Sequence, residues 1–460
     1  MQIHSYIDSA YYQSDNKFFK THAYTGQTTH EVSSCDLIGL ITAIRSANLA
    51  FQEWKTSSRV DRLALIEKIK MALSVKLQEY AALEATDQGL PLFFVMKNSL
   101  ELALLNIAEV QKQQPSGENL QHSSVGVIAL VASWNLSLRV ILDRLIPALL
   151  AGNAVVVKVS SQSVVTAHIL AEILSLAAAP KGLVNIIVSD DLEVKKTLIS
   201  HPGVRAVSFT GSIETTAAVL PLISQSSLQN FKKIQVSSGS KNSAVVLTEP
   251  SEEVFDQIMS SFLLGQGQLV WNSARLFILE KFEKQWETRI KEYLQGLKPS
   301  EGIDDTSLWT PCIKAGSFNK FDEIKKQIFE DKGQLLLGDY NLSDLQKKTF
   351  LPAIFTKDMS RCSTLQQDQI HAPVFILSAV KYPFDVAKYS NVSYFGFAAH
   401  LWGEPEKLHK IAENLDVGLA SVNKSSVEVP GAVTAVKQSG FGLQDFQSFG
   451  AFFSNVKKLT

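Results

Sequence analysis

Cysteine is scarce in this sequence: Cys35, Cys312 and Cys362 are the three present, far apart and with no CxxC pair. That excludes a disulfide framework of paired near neighbours and a zinc site built on cysteine pairs. It fits a reduced, cytoplasmic protein. A charge of one sign is lacking too. Lys and Arg number 44 against 45 Asp and Glu, a net charge of −1, so nothing marks the chain for nucleic acid or an anionic membrane. No apolar run approaches the roughly 18 residues of a membrane span. The stretch 125–132 is among the longest and suits a buried strand. No basic segment followed by an apolar one opens the chain, so no secretory signal is expected. Internal repeats and low-complexity tracts are absent. What remains is a chain of 460 residues, 45% hydrophobic and 19% charged, with the composition of a globular protein. Its length suits about three domain-sized units.

The pattern changes along the chain. Residues 1–35 are polar and aromatic with turn residues, which predicts an arm of short strands. From Leu37 to Gln111 the apolar spacing is helical, with Ile44, Ala47 and Phe51 starting one helix and Leu63, Ile66, Ile69 and Leu73 carrying the next. Gly89-Leu90-Pro91 interrupts the series. The middle third then alternates. Continuous β-branched runs at 125–133, 154–160, 183–189 and 204–210 predict buried strands, and helical stretches separate them. Asp190 is placed to cap the helix 191–200. Apolar strands alternating with helices predict a doubly wound parallel sheet covered on both faces. Such sheets bind ligands at the carboxyl ends of their strands. The strand 243–249 opens a second α/β unit, continued by helices near 252–266 and 281–295 and strands at 275–279 and 374–380. The tail 446–460 is expected to form an edge strand that pairs with another subunit.

On this background a series of short motifs appears in order. They are Ser133-Trp134-Asn135, then Pro147-Ala148-Leu149-Leu150-Ala151-Gly152-Asn153 ahead of Lys158-Val159, then Phe209-Thr210-Gly211-Ser212. Next come Ser237-Ser238-Gly239-Ser240-Lys241, Gly267-Gln268-Leu269-Val270 with Arg275, and Gln369-Ile370-His371-Ala372-Pro373-Val374. Asn391, Gly396 with Phe397-Ala398-Ala399, and Ser439-Gly440-Phe441-Gly442 complete the series. Each alone is weak; together, in this order and spacing, they resemble the aldehyde dehydrogenase superfamily over nearly the whole chain. The resemblance implies an α/β fold with a Rossmann-type dinucleotide-binding domain, a catalytic α/β domain and a small β oligomerisation element. The expected bounds are 1–106 with 125–236 for the first, 237–445 for the second, and 107–124 with 446–460 for the third.

Enzymes of that family need a cysteine nucleophile, a glutamate base and an asparagine oxyanion donor around one carbon. The resemblance places Asn135 at the oxyanion position, Val270 at the nucleophile position and Ser237 at the general-base position. A valine cannot form the covalent intermediate, and a serine is a poor base. The motif spacing leaves little room for a shifted alignment, and no cysteine lies between Cys35 and Cys312. For the cofactor, NAD or NADP, the resemblance implies contacts from Trp134, Lys158, Ser161, Ser212 and Gln369. Ser161 stands where a ribose-binding glutamate belongs, which weakens the usual 2′-hydroxyl contact and removes repulsion against an NADP phosphate. Gln369 replaces another ribose-binding glutamate. Asp190 and Asp191 stand near the expected diphosphate, where two carboxylates disfavour it, unless Asp190 is spent on capping.

Each residue also has a bland role open to it. Asn135 could serve only to bond nearby backbone, and Lys158 could be an ion-pair partner at a strand end. His371 suits a partly buried histidine, and Lys241 a structural turn. The expectation is therefore a pseudoenzyme: the dehydrogenase scaffold with aldehyde oxidation lost and NAD(P) binding weak or absent, acting by binding or assembly. The alternatives are an oxidoreductase acting on an aldehyde or related substrate by a non-standard route, and a structural subunit with no nucleotide site. A homodimer or homotetramer is expected, with no nucleic acid, membrane or metal.

Overall fold

The computed structural model describes residues 1–113, 120–226, 230–300, 308–313, 318–337, 349–424, 433–442 and 451–458. Two large sheets organise them. The first has eight strands, five of them central and parallel. Across the sheet these run Lys233–Ser237, Ala206–Thr210, Val127–Val131, Ala154–Lys158 and Val184–Ile187. All five residues of Ala154–Lys158 are buried, as a strand covered on both faces requires. Strand order reverses between Val127–Val131 and Ala206–Thr210, so the topological switch point lies there, and in such sheets ligands enter at that crevice.

The arm supplies edges. Ser5–Ile7 and Ala10–Tyr12 extend the first sheet, while Gln2–Ile3, Thr28–Ser33 and Lys17–Thr21 form a separate three-stranded sheet. The expected helices run Leu37–Trp54, Arg59–Val75, Leu77–Gln88 and Leu102–Lys112. Gly89 ends the third at φ 67°, a left-handed turn open to glycine at no steric cost. A π-helical turn at Met96–Glu101 was not foreseen from the sequence.

The second sheet has seven strands. Its order is Gln334–Leu337, Ile354–Lys357, Val374–Val380, Ser273–Leu279, Asn242–Val246, Ala398–Trp402 and Leu419–Val422. Only the first is antiparallel to its neighbour. Its core is aromatic: Phe262 stacks on Phe375 at 4.6 Å between ring centroids, and Phe355 tilts against Phe375 at 4.9 Å. The strand Gly440–Phe441 returns to pair with Lys233–Ser237 of the first sheet.

Two details differ from expectation, and the tail adds a pairing within the chain. Asp191, not Asp190, caps the helix Leu192–Ser200, accepting from the Glu193 N–H at 2.8 Å; Asp190 accepts from the Ser34 hydroxyl at 2.7 Å instead. The helix expected over 252–266 ends at Leu263, because Gly265 and Gln266 turn left-handed. The tail strand Ser454–Lys458 pairs antiparallel with Leu120–Ser124 of the same chain. Of the expected oligomerisation segments, 114–119, 446–450 and 459–460 lie outside the described residues, and residues 107–112 finish a helix.

Candidate functional site

A cavity of about 560 Å³ opens at the carboxyl ends of the parallel strands, at the switch point. Trp134, Asn135, Lys158, Ser161, Ser212, Ser237, Val270 and Gln369 all line it, so residues spread over more than 230 positions meet in one place.

Asn135 sits between the Val127–Val131 strand and the Ser137–Leu150 helix. The next residue, Leu136, is held left-handed at φ 47°, a conformation that costs a non-glycine residue about 1–2 kcal/mol. Buried neighbours hold the turn in place: Gln88 accepts the Leu136 N–H at 2.9 Å and Glu84 accepts the Leu138 N–H at 3.0 Å. Burial pushes the Glu84 carboxyl up, while bonds from Ser99, Leu138 and Gln88 oppose the shift. The side-chain oxygen of Asn135 accepts from the Ser133 hydroxyl at 2.8 Å, and its Nδ2 has no acceptor among the described residues.

Val270 lies in a braced turn. Asn242 donates to the Val270 carbonyl at 2.9 Å and to the Asn272 carbonyl at 3.0 Å. Asn272 in turn accepts the Leu269 N–H at 2.7 Å and donates to the Ser261 and Leu264 carbonyls. The Val270 side chain packs with Phe397, Ala398 and Ala435.

Ser237 ends its strand, and its carbonyl accepts the Gly211 N–H at 3.1 Å. Its hydroxyl has no hydrogen bond among the described residues, so no histidine or carboxylate activates it. The neighbouring Ser238 hydroxyl donates to the Gln438 carbonyl. The Gln369 amide lies across Gly239: a Cβ there would fall 2.1 Å from Gln369 Oε1. His371 lines the cavity but is exposed, against the partly buried site expected of it.

The cofactor side is cationic. Lys158 is only 7% exposed, and burial with Lys195 nearby lowers its pKa to about 7, while Asp190 opposes the shift. Ser212 caps the helix Ile213–Ser226, its hydroxyl accepting the Thr215 N–H at 3.4 Å. Neither Asp190 nor Asp191 lines the cavity, although Asp190 lies close enough to act on the charge of Lys158. Lys195 lines it instead, with its ammonium donating to the Asp190 carbonyl at 2.9 Å.

Lys241 is not at the site. It is 2% exposed, its Nζ has no partner among the described residues, and burial together with Arg275 lowers its pKa to about 7. The sequence missed Lys195 and three charged residues of the Ser137–Leu150 helix that line the cavity, Arg139, Asp143 and Arg144. Their signal was present as charges at i, i+4 and i+5 within an otherwise apolar helix.

A doubly wound sheet with a ligand crevice at its switch point is the architecture on which α/β proteins bind nucleotides. The model of the aldehyde dehydrogenase family matches residues 11–459, and the chain belongs to that family. Among its relatives, the 2-aminomuconic semialdehyde dehydrogenase of Mus musculus is 26% identical, with 95% of this chain and 93% of the relative covered. The Homo sapiens protein of the same name is 25% identical, over 100% and 98%. The fold matches an aldehyde dehydrogenase from Bartonella henselae with a TM-score of 0.91 at 20% identity, covering 99% of both chains. It also matches an NAD+ complex of a Bacillus cereus aldehyde dehydrogenase with a TM-score of 0.91 at 20% identity, covering 99% and 96%.

Proposed function

We propose that this family member has lost aldehyde oxidation and acts by binding or assembly, with a partly retained NAD(P) site. The observation that carries this is Val270 in its apolar cluster, in the cavity with an unactivated Ser237. Loss of a nucleophile in a cooperative catalytic unit costs on the order of 10⁶ in rate, and loss of a general base ~10²–10⁴.

The residues fit a dinucleotide. Lys158 is a buried cation with no ion-pair partner among the described residues, and the Ile213–Ser226 helix points its N-terminus at the cavity through Ser212. Lys158, Ser161, Ser212, Trp134 and Gln369 would hold the cofactor, whose chemistry is hydride acceptance. Ser161 leaves room for the NADP phosphate. The proposed division keeps 1–106 with 125–236 as the dinucleotide-binding domain and 237–445 as the catalytic-type domain. The ribbon formed by Leu120–Ser124 and Ser454–Lys458 would join copies of the chain. Free thiols at Cys35, Cys312 and Cys362 support a reducing, cytoplasmic setting.

One observation favours the alternative, an oxidoreductase working by another route: the Asn135 amide nitrogen remains an uncommitted donor in the cavity.

The test is aldehyde-dependent NADH and NADPH formation by the pure protein over a panel of aliphatic and aromatic aldehydes. No turnover is expected from the native chain, whereas the V270C/S237E double variant gains activity about 100-fold or more above V270C alone. Robust turnover by the native chain would overturn the proposal.

A further inference from the structure

The Ser137–Leu150 helix brings Arg139, Val140, Asp143 and Arg144 to the cavity on one face. One carboxylate lies within electrostatic reach of both guanidinium groups, but only Arg139 pairs with it. Asp143 is already engaged: one oxygen accepts from Asn106 Nδ2 at 2.8 Å, and the other faces Arg139 Nε at 3.4 Å. Arg139 is further held by the Asn98 carbonyl at 3.2 Å and lies over the Trp271 ring at 5.3 Å, beside Val270. Arg144 has no such anchor. Its Nη1 donates to the Val140 carbonyl at 2.9 Å, its Nε is buried with no partner, and it forms no salt bridge among the described residues.

Among the described residues lining the cavity, the cations are Arg139, Arg144, Lys158 and Lys195, and the one carboxylate is Asp143. A cation desolvated without a counter-ion is unfavourable, and a ligand anion offsets that. Guanidinium suits a carboxylate because its N–H groups match two oxygens in one plane. The cavity that Arg144 lines also has the apolar side chains of Val140, Trp271 and Phe397 in its wall, which suits a hydrocarbon body.

We propose that this end of the cavity binds the carboxylate of a small organic acid, or of an aldehyde bearing an acid group, with Arg144 as the principal anion contact. The proposal goes beyond the loss of oxidation and holds whether or not the chain turns over aldehydes. Lys158 and Lys195 lie on other elements, and they are left for the phosphates of a dinucleotide.

The experiment is calorimetry and thermal unfolding of the full chain with succinate, adipate and benzoate. Adipamide serves as the uncharged control and inorganic phosphate as the generic anion. At least one carboxylate is expected to bind saturably and raise the melting temperature, with adipamide inert. R144Q should weaken that binding by about tenfold or more, the worth of a charge-assisted hydrogen bond, while K158Q leaves it in place. If R144Q melts earlier than the native chain without ligand, R144K takes its place. It keeps the charge but loses the fork, and should also bind more weakly. Four results would overturn the proposal: no binding of any of the three acids, equal binding of adipamide, an acid lost to K158Q rather than R144Q, or acid binding unchanged in both Arg144 variants.

Discussion

Lys158 is the residue whose chemistry the fold alters most usefully. Burial and Lys195 together lower its pKa to about 7, so near neutrality the ammonium and the amine coexist. An anionic ligand prefers the ammonium, so binding raises the pKa again and draws a proton from solvent. The sign follows. Below about 7 the site is charged before ligand arrives and affinity is at its highest. Above that value each ligand must bring a proton with it, and affinity falls by up to about tenfold per pH unit until the raised, bound-state pKa is reached. Calorimetry of NADP binding at about pH 6.5 and about pH 8.5, in buffers of differing ionisation heat, should show weaker binding and net proton uptake at the higher pH. K158M should bind weakly with no such dependence. Native affinity that is flat across this range would contradict the role given to Lys158. Residues such as Val270 and Ser237 were legible in the sequence because their neighbours form ordered motifs with fixed spacing. Lys195 and Arg144 were not, because a charge on a helix reads as a solvated face until the packing shows which way the face points.

At the scale of elements, the junctions hold the site in shape, and Asn153 is the clearest of them. It is 0% exposed and joins three segments. Its oxygen accepts the Val125 and Gly126 N–H groups at 2.7 and 3.0 Å; its nitrogen donates to the Ala148 carbonyl at 3.0 Å and the Phe453 carbonyl at 2.8 Å. Those bonds fix the entry of the Val127–Val131 strand, the end of the Ser137–Leu150 helix and the start of the tail. Asn153→Ala leaves several buried groups unpaired, so it should lower stability by about 2–4 kcal/mol in urea unfolding, at roughly 1 kcal/mol or more per group. A loss under about 0.5 kcal/mol would mean water takes the place of the amide. The Gly152-Asn153 pair was legible as a helix stop because local chemistry decides where a helix ends. Its second role was not, since Phe453 lies 300 residues away. The same limit explains the π-helical Met96–Glu101 and the left-handed Gln266, which long-range packing imposes on sequence of ordinary local preference. Asp190 and Asp191 mark a finer limit: adjacent, identical side chains compete for one cap, and the partner at Ser34 decides between them.

For the molecule as a whole, the division into two α/β sheets was legible from strand spacing, but the ribbon beyond them was placed only in outline. Among the described residues, Leu120–Ser124 and Ser454–Lys458 form a two-stranded sheet apart from the two large ones. A lone two-stranded ribbon is marginally stable in water, and its open edges offer backbone hydrogen bonds to another strand. This one also exposes apolar side chains, with Leu120 39% and Val456 51% accessible. A second copy of the chain placed along the ribbon would satisfy both the edge and the apolar face, and that need is independent of any chemistry at Val270. Assembly therefore does not depend on catalysis. Light scattering should give a multiple of the 50.7 kDa chain mass, and removing residues 454–460 should lower it. The monomer mass from the intact chain at micromolar concentration would leave the ribbon without a partner, and the function would then have to rest on the cavity alone.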